Sequence, residues 1–420
     1  MILPVIIGVS LLIAINYKLG GKFLYPPVVF CSTWAVELVL VRLADDFFYP
    51  VSHRTLMIFL IGCVVFSGGS LLALLIPEKM QLPTYDLKAS NRIITVLLIT
   101  LIVSLPFIYR WISSLAEDFA SSNFLLSVHM GWNAAFDENS QPVLIVNLMT
   151  LSSVLALICV CECASHRKRA VLVCLMGLAI LVMTGARSGI VIMILAIVGI
   201  YWMRAGRLRL KFLAWMAVAL LIVISALAIF LHKGEATEEI SVSENLSPVV
   251  EGIVLYAAGG LPGFSQVVEN PTIIEHNWQV QTYLLSQANR FGAHYRIPPI
   301  NAEFVTVGPG RLPQNVYTMY FAYFDWGYVG MMCLVAFLGF VVTTTYKRAQ
   351  RGHKIALLLY GYFFAGMILS PYSDYFFMGM SGIVKVFEVS WLVFSLPVRW
   401  RQLWYPLRSP AVSRLPGMNG

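Results

Sequence analysis

Charge is scarce in this chain. Asp, Glu, Lys and Arg make up 12% of its 420 residues, against 59% hydrophobic residues. With a mean hydropathy of +0.77, that balance excludes a soluble globular domain and fits a chain that crosses a membrane many times. There are seven cysteines, and Cys31, Cys63, Cys159, Cys161, Cys163, Cys174 and Cys333 all fall in or at the ends of apolar segments. Neither a disulfide framework nor a Cys/His zinc spacing can be drawn from them. Walker, Asp-x-Asp and Gly-x-Ser-x-Gly motifs are absent, so ATP- or nucleotide-sugar-driven chemistry has no visible handle. No carboxylate cluster has metal-ligand spacing, which predicts catalysis without a metal, and no cofactor is implied. No positive charge precedes the first apolar run; Lys18 and Lys22 follow it. That is the reverse of a signal peptide, so the first segment is expected to stay as a helix with its N-terminus outside.

The charges that are present are placed with purpose. The formal net charge is +8, but the basic residues gather in short loops between apolar runs: Lys18/Lys22, Lys79/Lys88/Arg92, Arg167–Arg169, Arg204–Lys211, Lys347–Lys354 and Arg399–Arg414. This is positive-inside patterning and argues against a nucleic-acid partner; the partner it implies is a lipid bilayer. Apolar windows predict an all-α polytopic membrane protein with spans at 2–17, 23–41, 55–76, 93–112, 143–164, 170–185, 188–203, 212–231, 319–344, 355–372 and 380–398. The expected organisation is helices 1–8 over residues 1–231, a large external loop over 232–318, helices 9–11 over 319–398 and an internal tail over 399–420. A smaller external loop covers 113–142. Ile253–Val268 within the large loop is apolar enough to lie on the membrane or to re-enter it.

The run from Val171 to Met203 is broken only by Thr184-Gly185-Ala186-Arg187-Ser188-Gly189. As one helix it would be about 50 Å long, far beyond a hydrocarbon core of roughly 30 Å. Two helices folded back on each other put Arg167–Arg169 and Arg204–Lys211 on one side and Arg187 at the opposite, outer face. A guanidinium near membrane depth costs about 2.5–3.5 kcal/mol unless an anion meets it, so Arg187 is the first candidate site residue. Arg290, Arg296 and Arg311 are further external arginines whose forks match phosphate oxygens; the competing reading is snorkelling or a salt bridge to the acidic part of the loop.

Gln314-Asn315-Val316-Tyr317-Thr318 leads into a tyrosine-rich helix entry with Asp325 before Trp326-Gly327. Asn315, Tyr317 and Asp325 are candidates for sugar binding, against an aromatic belt with helix packing at Gly327 and Gly330. His276 and His294 are candidate bases, against ordinary solvated histidines. Glu37 is a further charge at membrane depth, and Lys385/Glu388 at i, i+3 are expected to neutralise each other on one helix face.

Tyr25-Pro26-Pro27-Val28-Val29-Phe30 with Trp34, TGARSG at Thr184–Gly189, LYAAGGLPGF at Leu255–Phe264 and QNVYTMYFAYFDWGYVG at Gln314–Gly330 together resemble the Wzy-type O-antigen (oligosaccharide repeat-unit) polymerases. The resemblance covers most of the chain, in order. It implies a bacterial inner-membrane enzyme similar to lipid-linked, GT-C-like glycosyltransferases, with a periplasmic N-terminus and large loop and a cytoplasmic C-terminus. Donor and acceptor would both be undecaprenyl-pyrophosphate-linked oligosaccharides, with a chain-length regulator and a flippase as further partners. Outward arginines would stabilise the pyrophosphate leaving group without metal. Family members commonly carry Ser where this chain has Ala186, and no residue identifies itself as the base. O-antigen ligases tend to place His before the Asn at the loop end, where this chain has Gln314. A transporter is the remaining alternative, and its usual paired broken helices with a midplane charge are not evident.

Overall fold

The structure is a computed structural model and describes residues 2–77, 84–117, 124–137, 142–162, 166–183, 187–206, 254–255, 257–271, 279–297, 305–309 and 317–398. Among these residues the chain is helical, with no β-strand. The helices are α1 (Ile2–Gly20), α2 (Pro26–Leu43), α3 (His53–Leu75), α4 (Leu87–Glu117), α5 (Phe124–Asp137), α6 (Val143–Cys161), α7 (Arg167–Met183) and α8 (Arg187–Ala205). After them come α9 (Gly260–Glu269), α10 (Thr282–Arg290), α11 (Met319–Phe324), α12 (Gly327–Gln350), α13 (Lys354–Ile368) and α14 (Met380–Phe394).

Eight of the described helices are long and apolar enough to cross a membrane: α1, α2, α3, α4, α6, α8, α12 and the helix from Met380 to Val398. Two more expected spans are shorter helices, α7 with 17 residues and α13 with 15. The expected span at 212–231 lies outside the described residues.

Local chemistry sets several boundaries. Pro26 and Pro27 open α2, where their missing N–H groups cost nothing. Ser52 caps α3 by accepting from the Thr55 amide at 3.2 Å. Lys347 Nζ donates to the Ala73 carbonyl at 2.7 Å and the Ile76 carbonyl at 3.0 Å, closing the end of α3. Arg204 closes α6 in the same way at the Cys161 carbonyl.

Two segments differ from the expectation. The single span at 319–344 is two helices, α11 and α12, because Gly327 takes a φ of 66° and turns the chain out of the helical path. The 113–142 loop holds the end of α4 and all of α5, folded together with the Trp111 and Trp132 rings edge to face at 5.6 Å.

Packing centres on α3 and α12. Gly69 abuts the backbone of Ala336 and Gly339 that of Phe66; a Cβ on either would overlap a carbonyl oxygen. Ser70 Oγ donates to the Phe66 carbonyl at 2.9 Å and the Gly339 carbonyl at 3.1 Å. In lipid, where apolar burial drives helices together weakly, such close approach and shared hydrogen bonds hold the pair. Beside it lies an aromatic core: Phe30 stacks on Phe66 at 4.1 Å and Trp34 on Phe59 at 4.5 Å, with Tyr320 5.1 Å from Phe59. The helix α13 joins this half to the other, packing on α8, α12, α2 and α6.

The bundle has two distinct ends. One carries Arg204 with Cys161, Lys347 at the end of α3, and a Glu162–Lys354 ion pair at 2.8 Å. The other carries α9, the starts of α3, α6 and α14, and the turn at 369–379. We call these the basic end and the loop end.

Candidate functional site

At the loop end the apolar LYAAGGLPGF segment is built into the helix bundle. Leu261, Phe264, Val267 and Val268 of α9 are all buried. The Phe264 ring meets Phe59 at 6.0 Å and Phe324 at 5.8 Å. Gly260 lies so close to Pro371 that a Cβ would overlap its carbonyl oxygen; only glycine permits that approach. Ser265 Oγ accepts from the Ser52 amide at 2.9 Å, and the Glu37 carboxylate of α2 faces the Leu261 amide at the first turn of α9. A buried acid beside the unpaired N–H groups of a helix start suits the dipole there.

The 369–379 turn completes this floor. The Met319 amide donates to the Ser370 carbonyl at 2.8 Å. The Asp374 carboxylate is buried and accepts from the Tyr323 hydroxyl at 2.8 Å and from the amides of Phe376 at 2.8 Å, Phe377 at 3.1 Å and Met378 at 3.0 Å. Burial pushes the carboxyl above its ordinary range, and the hydrogen bonds from Met378, Phe376 and Tyr323 pull against that. This cage ties α11 to the turn before α14. Its acid is fully engaged, which makes it a positioning group.

Two cations lie on the helices α14 and α10. Lys385 of α14 is half-buried and donates to the side-chain oxygen of Asn147 on α6. Arg290 ends α10, is exposed, and lies within electrostatic reach of Lys385. Glu388 also acts on Lys385, but the described residues hold no ion pair between the two. Lys385 therefore has a bond to α6 in addition to the electrostatic pull of Glu388 within α14.

The other expected residues fall as follows. Arg187 is the first residue of α8. Its backbone is at the loop end, since Arg204 at the far end of the helix reaches Cys161 at the basic end. The Arg187 side chain lies outside the description. Tyr317 is buried, stacks on Phe321 at 4.5 Å and packs with Val267 and Val305 beneath α9. Asp325 is half-buried at the break between α11 and α12. His294 and Arg296 lie on an exposed stretch after α10. That stretch is folded back by Asn289, whose amide donates to the Tyr295 carbonyl and whose oxygen accepts from the Tyr295 amide, both at 2.8 Å. His276, Arg311 and Asn315 lie outside the described residues.

The structure thus brings Tyr317 to the α9 segment and leaves Arg290, His294 and Arg296 exposed. Sequence reasoning passed over Asp374 and the Asn147–Lys385 bond. An Asp followed by aromatics in a short Ser/Pro/Gly-flanked connection is a turn signal that would have found the first.

No family model, no curated protein and no solved structure matches this chain.

Proposed function

We propose that this protein is a polymerase that joins undecaprenyl-pyrophosphate-linked oligosaccharide repeat units into a surface polysaccharide such as O-antigen. The loop end would face the periplasm and the basic end the cytoplasm, in keeping with the positive-inside pattern. The observation that carries the reading is the α9 segment, sealed into the loop end of a membrane bundle, the same end at which α8 begins with Arg187. A lipid-linked glycan has its reacting bond at this boundary, with the tail in hydrocarbon and the sugars in water. The ordered resemblance of the TGARSG, LYAAGGLPGF and QNVYTMYFAYFDWGYVG segments supports the same reading.

In the proposed reaction an acceptor sugar hydroxyl attacks the anomeric carbon of the donor glycan. The bond from that carbon to the lipid pyrophosphate breaks, the pyrophosphate leaves with the electron pair, and the hydroxyl proton passes to a base or to water. Arg187, Arg290 and Arg311 would stabilise the charge growing on the leaving group; Arg296, Asn315, Tyr317, Asp325, His276 and His294 would bind the glycan. Fixed donors aimed at developing charge act strongly where water is excluded.

The test is extension of a purified lipid-linked repeat unit by the purified protein, read as a ladder on a gel. Arg187→Ala should lower the rate roughly 10²–10³-fold, the usual effect of removing one such donor. Arg187→Lys should retain a small fraction, because lysine keeps charge but loses the planar fork. No ladder from the unmodified protein, with transfer instead onto a lipid A–core acceptor, would turn the assignment to a ligase. Full ladders from both variants at normal abundance would remove Arg187 from the site.

A further inference from the structure

The helix α10 is amphipathic in the sense opposite to that of a helix resting on its own protein. At about 100° per residue, Leu284, Ala288 and Phe291 share one stripe, and Thr282, Ser286 and Asn289 lie opposite. A short surface helix normally turns its apolar stripe to the protein and its polar side to water. Here the order is reversed. Leu284 is 62% and Phe291 90% exposed, whereas Thr282, Ser286 and Asn289 are half-buried, and no residue of the helix is fully buried. Tyr295 and Ile297, just beyond, are exposed as well.

The exposed stripe ends in a built turn. Gly292 takes a φ of 95° and stops the helix. Its amide donates to the Asn289 carbonyl at 3.1 Å, and the Ala293 amide to the Ala288 carbonyl at 3.1 Å, the paired closure of a Schellman stop. Asn289 then clamps Tyr295 through both atoms of its side-chain amide. Phe291 and Tyr295 are thereby held on one short hydrogen-bonded turn. Scattered apolar side chains on a surface need no explanation, but a fixed turn that exposes two aromatic rings beside an exposed apolar stripe does.

Position and charge indicate what covers it. The turn Gln279–Gln281, from which α10 starts, packs on α11, and α11 is tied to the 369–379 turn by the Met319–Ser370 bond. Directly after α11, Trp326, Tyr328 and Val329 are exposed where the membrane-crossing α12 begins. Exposed aromatics at that level form an interfacial belt. Nine residues make α10 about 14 Å long, so its far end stays close to that belt. Exposed Arg290 and Arg296 flank the rings, and basic groups beside aromatic ones match the phosphate and carbonyl layers of a bilayer. We infer that α10 and the turn up to Ile297 form an interfacial anchor that lies on the membrane surface at the loop end. Leu284, Phe291 and Tyr295 enter the lipid, and the two arginines lie among the phosphates. The anchor does not depend on the polymerase reading. On that reading it sets Arg290 at the depth of the phosphate layer, where a lipid-linked donor carries its pyrophosphate.

The experiment uses the full-length protein in nanodiscs of phosphatidylcholine and phosphatidylglycerol. Leu284→Cys, Phe291→Cys and Ser286→Cys are made in a cysteine-free background and spin-labelled. Each label is read for collision with oxygen, which concentrates in lipid, and with a nickel chelate, which stays in water. The labels replacing Leu284 and Phe291 should favour oxygen by about threefold or more, and the label replacing Ser286 should not, as for an amphipathic helix bedded in an interface. Preference for nickel at Leu284 and Phe291 would overturn the anchor by placing the stripe in water. Shielding from both reagents there would overturn it in favour of a protein cover. A second measurement keeps the native cysteines: p-benzoylphenylalanine in place of Phe291 is irradiated in the same nanodiscs and read by intact mass. An adduct of one phospholipid supports the anchor. A cross-link to a second copy would overturn it, as would the lack of a lipid adduct when the same group in place of Leu144, exposed on the membrane-crossing α6, gives one.

Discussion

Asp374 offers the sharpest stability test, because its carboxylate is the hub of a closed hydrogen-bond cage. Replacing it with Ala strips an acceptor from the Tyr323 hydroxyl and from the amides of Phe376, Phe377 and Met378. Each donor left dry costs about 1–3 kcal/mol. Against that sum, the variant no longer desolvates a carboxylate, which is several kcal/mol in its favour; burial already outweighs the hydrogen bonds in setting the direction of its titration. The expected net loss is about 2–4 kcal/mol. Asp374→Asn should lose a comparable amount despite its equal volume, because its NH₂ group would point a donor at donors. Tyr323→Phe removes a single bond to a charged acceptor and should lose about 1.5–3 kcal/mol. The two sites touch, so the double variant should fall short of the summed losses by about 0.5–3 kcal/mol. Unfolding of the purified protein in mixed micelles by SDS titration, followed by tryptophan fluorescence, gives all four free energies. Asp374→Ala and Asp374→Asn both within about 0.5 kcal/mol of wild type, the range of an ordinary surface change, would refute the cage as a stabilising element.

At the α3–α12 crossing, Gly339→Val forces a side chain against the Phe66 carbonyl; a loss of about 1–3 kcal/mol or more is expected in the same titration, as for other overpacked sites. At the basic end, His353 caps α13 by accepting from the Ala356 amide at 3.3 Å, and burial, then the charge of Arg348, holds its imidazole below the ordinary 6.5. A lowered folded value means the unfolded chain takes up the proton first. Stability should therefore be full above about pH 6.5 and fall as the pH drops through the folded value. His353→Asn keeps a capping acceptor without the proton, so its unfolding midpoint measured from pH 8 to pH 5 should lose that part of the slope; an unaltered slope would show that other groups carry it.

Much of the helical layout was legible from hydropathy alone, and the pair around Arg187 is an example. An apolar run far too long for one crossing, with a polar Gly-Arg-Ser-Gly step in its middle, has few other solutions, and α7 and α8 do pack on each other. The break at Asp325–Gly327 was not legible. A glycine that turns the chain and a glycine that lets helices touch look alike in a list of residues, and only the φ of 66° separates them. The helix α5 was hidden because a moderately apolar stretch among acidic residues reads as loop. For Lys385, helical periodicity identified Glu388 as a neighbour on the same face. It could not identify Asn147, 238 residues away, because partners between helices depend on how the helices are assembled.

The pairing of α3 with α12 also constrains how the protein is made. Ser70 and Gly339 are bonded across a separation of 269 residues. At roughly 5–20 residues per second, that leaves a delay of roughly 15–50 s between the emergence of one surface and the other. Throughout that interval the groove formed by Phe66, Gly69 and Ser70 has no partner. The α9 segment emerges in the meantime, and its final seat is enclosed on one side by Phe59 and on the other by Thr318 and Pro371. Assembly therefore has an order. The loop segment must be delivered to the first helices before the later ones close over it, and a ribosome that stalls before Gly339 leaves a chain whose central seam is still open.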